Sequence, residues 1–320
     1  MVTSLLYCFD RNYNQQAFSS MISFLDNTTS HLDIYIIHKS ESTSNFIPDI
    51  IKNHIQLRNI KTFKFNLKSK FPNIEGTHVS EATYYRIFFE YFIDSSIEFI
   101  TYIDSDIICN KEPKIFIEQA ISKLRNSNNI LACKTERMRN QENKHIFDRI
   151  NMSSDRYFNA GVIVIDTKKW KSQNITNKLI AKLNQIDFPL NFWDQDLFNL
   201  FFDGDYVPID ESCNWNIHLE KTYSSQEESI IFNSVVLFHF YGKTKPWSSR
   251  GLFSKYSFIY QQNYRKISNM HYHIIHNYFP NSLIQLSLSF LNLNFYRYID
   301  KKTIFLSIFF KNYIIKRFKK

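Results

Sequence analysis

The fold class open to this chain is set by an alternation in its sequence. Through its first 165 residues, short apolar runs alternate with polar stretches of helical period. Residues 4–9 read as a strand. Residues 15–25 read as a helix, with Ala17, Phe18, Met21, Ile22 and Leu25 recurring at helical spacing. Apolar runs follow at 33–38 and 59–65, a helix-like stretch at 81–93, and a strand at 99–103 that stops at Asp104. Further runs stand at 130–133 and 162–165. This order predicts an α/β domain on a mostly parallel central sheet. Ligands in such sheets bind beyond the carboxyl ends of strands, so polar residues just after apolar runs are the first candidates for a site.

Composition excludes several alternatives. With 44% hydrophobic residues in 320, the chain is neither disordered nor fibrous, and it is long enough for a large core. Only five glycines occur, whereas Phe and Tyr are abundant; that bias is discounted as a functional signal. Cys8, Cys109, Cys133 and Cys213 are too scattered for a zinc site or a disulfide framework, which fits a reducing cytosol. No run of 18 apolar residues predicts a spanning helix, and the start of the chain reads as a strand rather than a signal peptide.

The net charge of +9 is concentrated. Residues 296–320 carry eight basic residues against one acid, Asp300, so the tail holds +7 and the rest of the chain +2. Helical-period runs at 283–293 and 303–315 and interleaved aromatics mark a change of character. We place a domain boundary near residue 255, with a catalytic domain at 1–255 and a helical basic, aromatic region at 256–320. Such a tail suits an anionic membrane surface, or a helix packed on the body with a solvated basic face. No nucleic-acid motif is present, so nucleic acid is not the expected partner.

Five clusters and one arginine could carry chemistry. Asp104-Ser105-Asp106 follows a strand; its carboxylates suit Mg²⁺ or Mn²⁺, or form a solvated turn. Phe158-Asn159-Ala160-Gly161 precedes a strand and lets a ligand approach the backbone, or is a turn. Trp193-Asp194-Gln195-Asp196 opens a helix, where Asp194 or Asp196 alone could serve as a cap or first-turn acid. His239 sits in an apolar run at 234–240, before Gly242-Lys243-Thr244-Lys245; an imidazole suits Mn²⁺, and a Gly-Lys turn suits a phosphate. Asp10-Arg11-Asn12-Tyr13 follows the first strand, with Tyr13 able to stack on a base, or with Asp10 or Asn12 as a helix cap. Arg86, in an aromatic stretch, needs an anionic partner, protein or phosphate.

Taken together and in order, the runs DRNY, HVSEATYYR, YIDSDI, YFNAGVIVIDTKKW, WDQDLFN and HFYGKTKPW resemble glycosyltransferase family 8, in particular the bacterial lipopolysaccharide galactosyl- and glucosyltransferases. The resemblance covers roughly residues 5–250. It implies a GT-A (Rossmann-like) fold, a UDP-sugar donor, Mn²⁺ (or Mg²⁺), and anomer-retaining transfer of a hexose, galactose or glucose, to a glycan or glycolipid acceptor.

It also implies residue roles. Asp104, Asp106 and His239 would ligate metal. Asp10, Asn12, Tyr13 and the backbone at Cys8 would hold uridine. Arg86 would lie near the diphosphate and donor sugar, with Ser105, Asn159 and Ala160 in the donor pocket. Asp194 and Gln195 would flank the reacting carbon, and Gly242 and Lys245 would contact the diphosphate. Gln195, Asp194, Lys245 and Arg86 are the catalytic candidates.

One departure stands out. In the family that this chain resembles, members transferring galactose or glucose commonly carry an acid that touches the sugar hydroxyls where this chain has Thr135, one residue before Glu136. Either Glu136 takes that role through a shifted backbone, or the donor sugar differs. Two rival readings are a degenerate sugar-nucleotide-binding module and a metal-dependent phosphatase. The phosphatase pattern wants Thr soon after Asp-x-Asp, where Ile107-Ile108-Cys109 follows. The expected location is cytoplasmic, peripheral on the inner face of a bacterial cytoplasmic membrane.

Overall fold

The apolar runs assemble into one twisted sheet. The computed structural model describes residues 2–67, 71, 80–221, 223–276 and 281–318. Strands β1 (Thr3–Phe9), β2 (Leu32–His38), β3 (Leu57–Lys64) and β4 (Phe99–Ile103) are mutually parallel where they pair. β1 and β2 are buried along nearly their whole length, as expected of largely apolar strands covered on both faces. The helix Asn14–Asn27 makes the first crossover and buries Phe18, Met21, Ile22 and Leu25 under the sheet.

A short β5 (Ile107–Cys109) follows β4 directly. Beyond it lie β6 (Leu131–Met138), β7 (Arg156–Asp166) and β8 (Val207–Pro208). The large sheet runs β3-β2-β1-β4-β7-β6-β8, with β7 antiparallel to both neighbours. A small sheet, β5-β10-β9, is completed by β9 (Trp215–Asn216) and β10 (Leu237–His239). Asp104–Asp106 is thus the hinge between the two sheets. Antiparallel pairing of β10 with β5 sets His239 opposite Ile107, one residue from Asp106.

Three local expectations shift. β7 begins at Arg156, so Phe158–Gly161 lie inside the strand rather than at its start. The strand can run through Asn159 because that buried amide is hydrogen-bonded by its neighbours. β10 is shorter than the apolar run at 234–240, because Ser225–Ser234 is a helix closed by a Ser224/Glu227 capping box. Residues Glu81–Tyr91 form 3₁₀ turns, capped by the Ser80 side chain. The Thr83 carbonyl there accepts from Nε of Arg86 at 3.1 Å.

The helix Ser257–Ile267 shares an apolar cluster with Phe238, Phe240 and Trp247. The helices Asn281–Leu291, Asn294–Tyr298 and Lys302–Phe318 gather around the buried rings of Phe305 and Phe309, which pack with Leu252 and Phe253. Arg265 ties this layer down through a two-pronged bond to Asp300. Lys319 and Lys320 lie outside the described residues. No helix of the described chain is long and apolar enough to cross a membrane.

Candidate active site

The carboxyl ends of β1, β4 and β10 and the start of the helix Trp193–Phe202 open on one cavity of about 430 Å³. Its walls draw on all five sequence clusters and on Arg86. Cys8, Asp10, Tyr13, Arg86, Asp104, Ser105, Asp106, Asn159, Asp194, Gln195, His239, Gly242 and Lys245 line it. Ala160 does not line it, but its carbonyl accepts from Arg86 and its N–H donates to the Gln195 side chain. Asn12 is exposed on the turn beside it and does not line it. His78 and Val79, which open the second matching stretch of sequence, lie outside the described residues.

One end of the cavity is a ligand set. Asp104, Asp106 and His239 present ligand atoms that all lie within 4.8 Å of one another, the one such group among the described residues. Nε2 of His239 is 3.4 Å from Asp106 and 4.0 Å from Asp104. Two hard carboxylates and an imidazole fit a divalent cation such as Mn²⁺ or Mg²⁺. Burial alone would raise the Asp106 carboxyl. Lys245, whose Nζ lies 2.5 Å away, and His239 outweigh that and hold it well below the usual carboxylate range. Lys245 also donates to the Phe240 carbonyl at 2.7 Å.

The middle of the cavity is organised by Arg86. Its guanidinium is buried, and it lies 4.1 Å over the Tyr102 ring. Nη1 donates to the Ala160 carbonyl at 2.5 Å, and Nη2 to Thr83 Oγ1 at 3.1 Å. Nε lies 2.5 Å from Asp194 Oδ2. The anionic partner of Arg86 is therefore a carboxylate of the protein. Burial pushes the Asp194 carboxyl up, and Arg86 and Thr83 oppose that shift. Thr83 Oγ1 donates to the other Asp194 oxygen at 2.6 Å.

Asp10 accepts from Asn12 N–H and from Ser80 Oγ, at 2.8 and 2.6 Å. It is both the cap of its turn and part of the wall, so the two readings of that cluster coexist. Tyr13 stands edge-on to Trp247 at 6.4 Å. Gly242 has φ of +82°, a left-handed conformation that favours glycine.

The profile of glycosyl transferase family 8 matches residues 4–251. The chain belongs to glycosyl transferase family 8. It is 27% identical, over 76% of its length and 72% of the relative's, to a lipopolysaccharide 1,2-glucosyltransferase of Escherichia coli K12. It is 29% identical to a lipopolysaccharide 1,3-galactosyltransferase of Salmonella typhimurium, over 54% and 51% of the two chains. Its fold matches that of the galactosyltransferase LgtC, solved with donor and acceptor sugar analogues, at a TM-score of 0.65 and 18% identity over 83% of this chain and 97% of that one. The glycosyltransferase GlyE of Streptococcus pneumoniae matches at 0.59 and 19% identity, over 92% and 64%. The glycosyltransferase has the GT-A fold, whose enzymes use nucleotide-sugar donors, usually with a divalent metal.

In this family 8 glycosyltransferase the acids of Trp193–Asp196 divide their labour. Asp194 faces the cavity. Asp196 turns away, bonded to Arg149, Tyr157 and the backbone N–H of Phe192, and serves as a structural first-turn acid. The departure at Thr135 also acquires a physical account. The pairing of β6 with β7 shifts register between Thr135 and Arg137, leaving Glu136 without a partner across the ladder. Thr135 bonds to Tyr206 at 2.6 Å, whereas Glu136 reaches Asn159 at 2.8 Å.

Sequence reasoning missed Ser80, Thr83, Tyr102, Tyr241 and Asn214. Ser80, Thr83 and Tyr102 sit inside runs already singled out, but their hydroxyls gave no signal apart from the carboxylates they serve. Tyr102 donates to Asp104 at 2.6 Å. Asn214 had no signal at all; it arrives on the 3₁₀ turn Glu211–Asn214 and bonds to His239.

Proposed function

We propose that this enzyme is a Mn²⁺-dependent retaining hexosyltransferase. It moves galactose or glucose from the UDP-sugar to a saccharide acceptor, a lipopolysaccharide or lipooligosaccharide. The observation that carries this reading is the convergence of Asp104, Asp106 and His239 with Arg86, Asp194 and Gln195 on one cavity, from four distant stretches of chain.

The chain's own groups divide the work. Tyr13 offers a face for uracil, and Asp10, with Asn12 beside it and the Cys8 backbone, offers polar partners for the nucleoside. Asp104, Asp106 and His239 hold the metal, which when bound neutralises the diphosphate and eases its departure. Lys245 and the backbone at Gly242 face the same end and stabilise charge that appears on the leaving phosphate. Arg86 and Asp194 fix the floor under the sugar. Gln195, with Asn159 and Ala160, borders the reacting carbon.

The acceptor hydroxyl oxygen forms a bond to the anomeric carbon as the bond to the β-phosphate oxygen breaks. The acceptor proton passes to that departing oxygen. This front-face course is favoured over double displacement by the state of the candidate nucleophiles. Both Asp194 oxygens are engaged, by Thr83 and Arg86, and the Gln195 carbonyl oxygen accepts from Ala160 N–H at 3.0 Å. A double displacement needs a free carboxylate on the far face of the sugar.

The C-terminal layer, residues 256–320, is proposed to seat the enzyme on the inner face of the bacterial cytoplasmic membrane. Support comes from its exposed apolar side chains, among them Leu291, Phe310, Ile314 and Phe318, beside the basic residues Arg297, Lys311 and Arg317.

Calorimetric titration of UDP, with Mn²⁺ and then with chelator, tests the reading. Metal-dependent UDP binding that Asp106→Ala abolishes is the expected result. Metal-dependent turnover of a UDP-hexose by Asp106→Ala would reject the ligand assignment.

A further inference from the structure

Behind the cavity lies a layer of buried polar side chains whose hydrogen positions follow from two backbone amides. Gly161 N–H donates to Asn159 Oδ1 at 2.8 Å, which fixes that atom as an oxygen. The Asn214 atom meeting the same oxygen, also at 2.8 Å, is therefore the Nδ2 donor. Oδ1 of Asn214 is then turned to Nδ1 of His239, 2.9 Å away, so that ring nitrogen carries the proton. Nε2 of His239 is left with its lone pair toward Asp104 and Asp106.

The other branch runs toward the sugar end. Asn159 Nδ2 donates to Glu136 Oε2 at 2.8 Å. The neighbouring amide, Ala160 N–H, takes the Gln195 carbonyl oxygen. This turns the Gln195 amide nitrogen toward the same Glu136 oxygen, at 3.5 Å, and toward the Tyr157 hydroxyl, at 3.3 Å. The second Glu136 oxygen is neutralised by Arg137 at 3.0 Å. Lys134 pins the Asn214 carbonyl at 2.9 Å. Asn159 and Asn214 are fully buried, and the Glu136 side chain is 6% exposed.

We propose that Glu136, Asn159 and Asn214 form a positioning relay that couples the metal ligand His239 to Gln195, so that the metal end and the sugar end of the donor site are set together. The proposal rests on the function given above for the two ends. Physically, each member has one orientation that satisfies its neighbours. Reversing one amide sets donor against donor at the next contact, and the burial of Asn159 and Asn214 makes such a mismatch costly. The β6 bulge at Glu136 is what delivers a carboxylate to the far end of this chain, where Thr135 cannot reach. Glu136 touches neither donor nor metal in this scheme; it acts through Gln195 and Asn159.

The test uses the full chain and the variants Glu136→Gln and Asn214→Asp. The first swaps the terminal acceptor for an amide. The second keeps an oxygen for His239 but cannot donate to Asn159. Nitrogen NMR of ¹⁵N-histidine-labelled protein, without nucleotide, reads the His239 tautomer directly. The relay predicts that Glu136→Gln shifts the His239 ring nitrogens although Glu136 does not touch the ring. Calorimetry with Mn²⁺ then compares UDP with UDP-galactose and UDP-glucose. Each variant should lose about tenfold of the extra affinity that the hexose adds to UDP, and the double variant no more than either alone.

Unchanged His239 resonances in Glu136→Gln, together with losses that multiply in the double variant, would overturn the relay. Should the wild-type chain fail to bind UDP with Mn²⁺ while the His239 shift persists, the function assigned above falls and the relay stands.

Discussion

Nε of Arg86 and Oδ2 of Asp194 lie 2.5 Å apart with both side chains almost wholly buried. The pair joins the 3₁₀ turns Glu81–Tyr91 to the helix Trp193–Phe202 beneath the cavity. A buried charge is tolerable only while its partner remains. Arg86→Ala should therefore cost about 3–5 kcal/mol of stability. Replacing both residues, as Arg86→Met with Asp194→Leu, should recover part of that loss while leaving transfer abolished. Urea denaturation of the three variants checks this. A loss below about 1 kcal/mol for Arg86→Ala, the range of an exposed pair, would sink the idea.

Gly161 is the tightest point of the metal end. A β-carbon there would meet the His239 ring carbon Cε1 at 2.6 Å and Nδ1 at 2.9 Å. Gly161→Ala should displace the imidazole rather than the strand, whose pairing with β4 continues on its far side. We expect Mn²⁺ affinity to fall about 10–100-fold, the usual effect of disturbing the support of a ligand. Manganese titration followed by electron paramagnetic resonance, beside a melting curve close to wild type, checks it. Wild-type affinity would mean that His239 is not held where its ring now stands.

His273 gives the molecule a pH dependence of known sign. Its ring stacks with Trp247 and with Tyr264, and its Nδ1 shares a 2.6 Å hydrogen bond with the Tyr260 hydroxyl. Burial pushes its pKa from 6.5 down to about 4. Between those values the unfolded chain binds the proton and the folded chain does not. Stability is therefore complete above about pH 6.5 and is lost as pH falls toward 4. At about 1.4 kcal/mol per pKa unit, the loss is on the order of 3 kcal/mol. His273→Phe should flatten the fall in urea midpoint between about pH 7 and pH 4.5. An equally steep fall in that variant would assign the effect elsewhere, to His38 and His276, which burial also lowers.

The C-terminal layer should bind anionic vesicles at low salt and release them as salt rises. Arg297, Lys301, Lys311 and Arg317 are exposed, and each such charge contributes about 1 kcal/mol near an anionic surface. Neutralising all four to Gln should abolish co-flotation while leaving the melting temperature within a few degrees. If the unaltered chain stays with the vesicle-free fraction at low salt, the membrane assignment fails.

Much of the sheet is legible in the chain, because strands covered on both faces must be largely apolar and β1, β2 and β4 are. The sequence also determined which polar residues stand beyond those strands, since an apolar run that ends on Asp104 or Asp10 can end only at the edge of a core. How those residues meet follows from packing between distant segments. Asp194 and Asp196 are chemically equal in the sequence, yet Arg86 draws one to the cavity and Arg149 holds the other in the core. Thr135 and Glu136 exchange faces through a one-residue slip in pairing, which local propensity does not encode. Asn214 sits 25 residues before His239, in a segment with no periodicity to mark it, and becomes its partner only when β9 and β10 align. Burial and periodicity are properties of short segments, and so they are legible in a chain. Which buried donor finds which acceptor depends on packing between segments far apart, and only the folded molecule settles it.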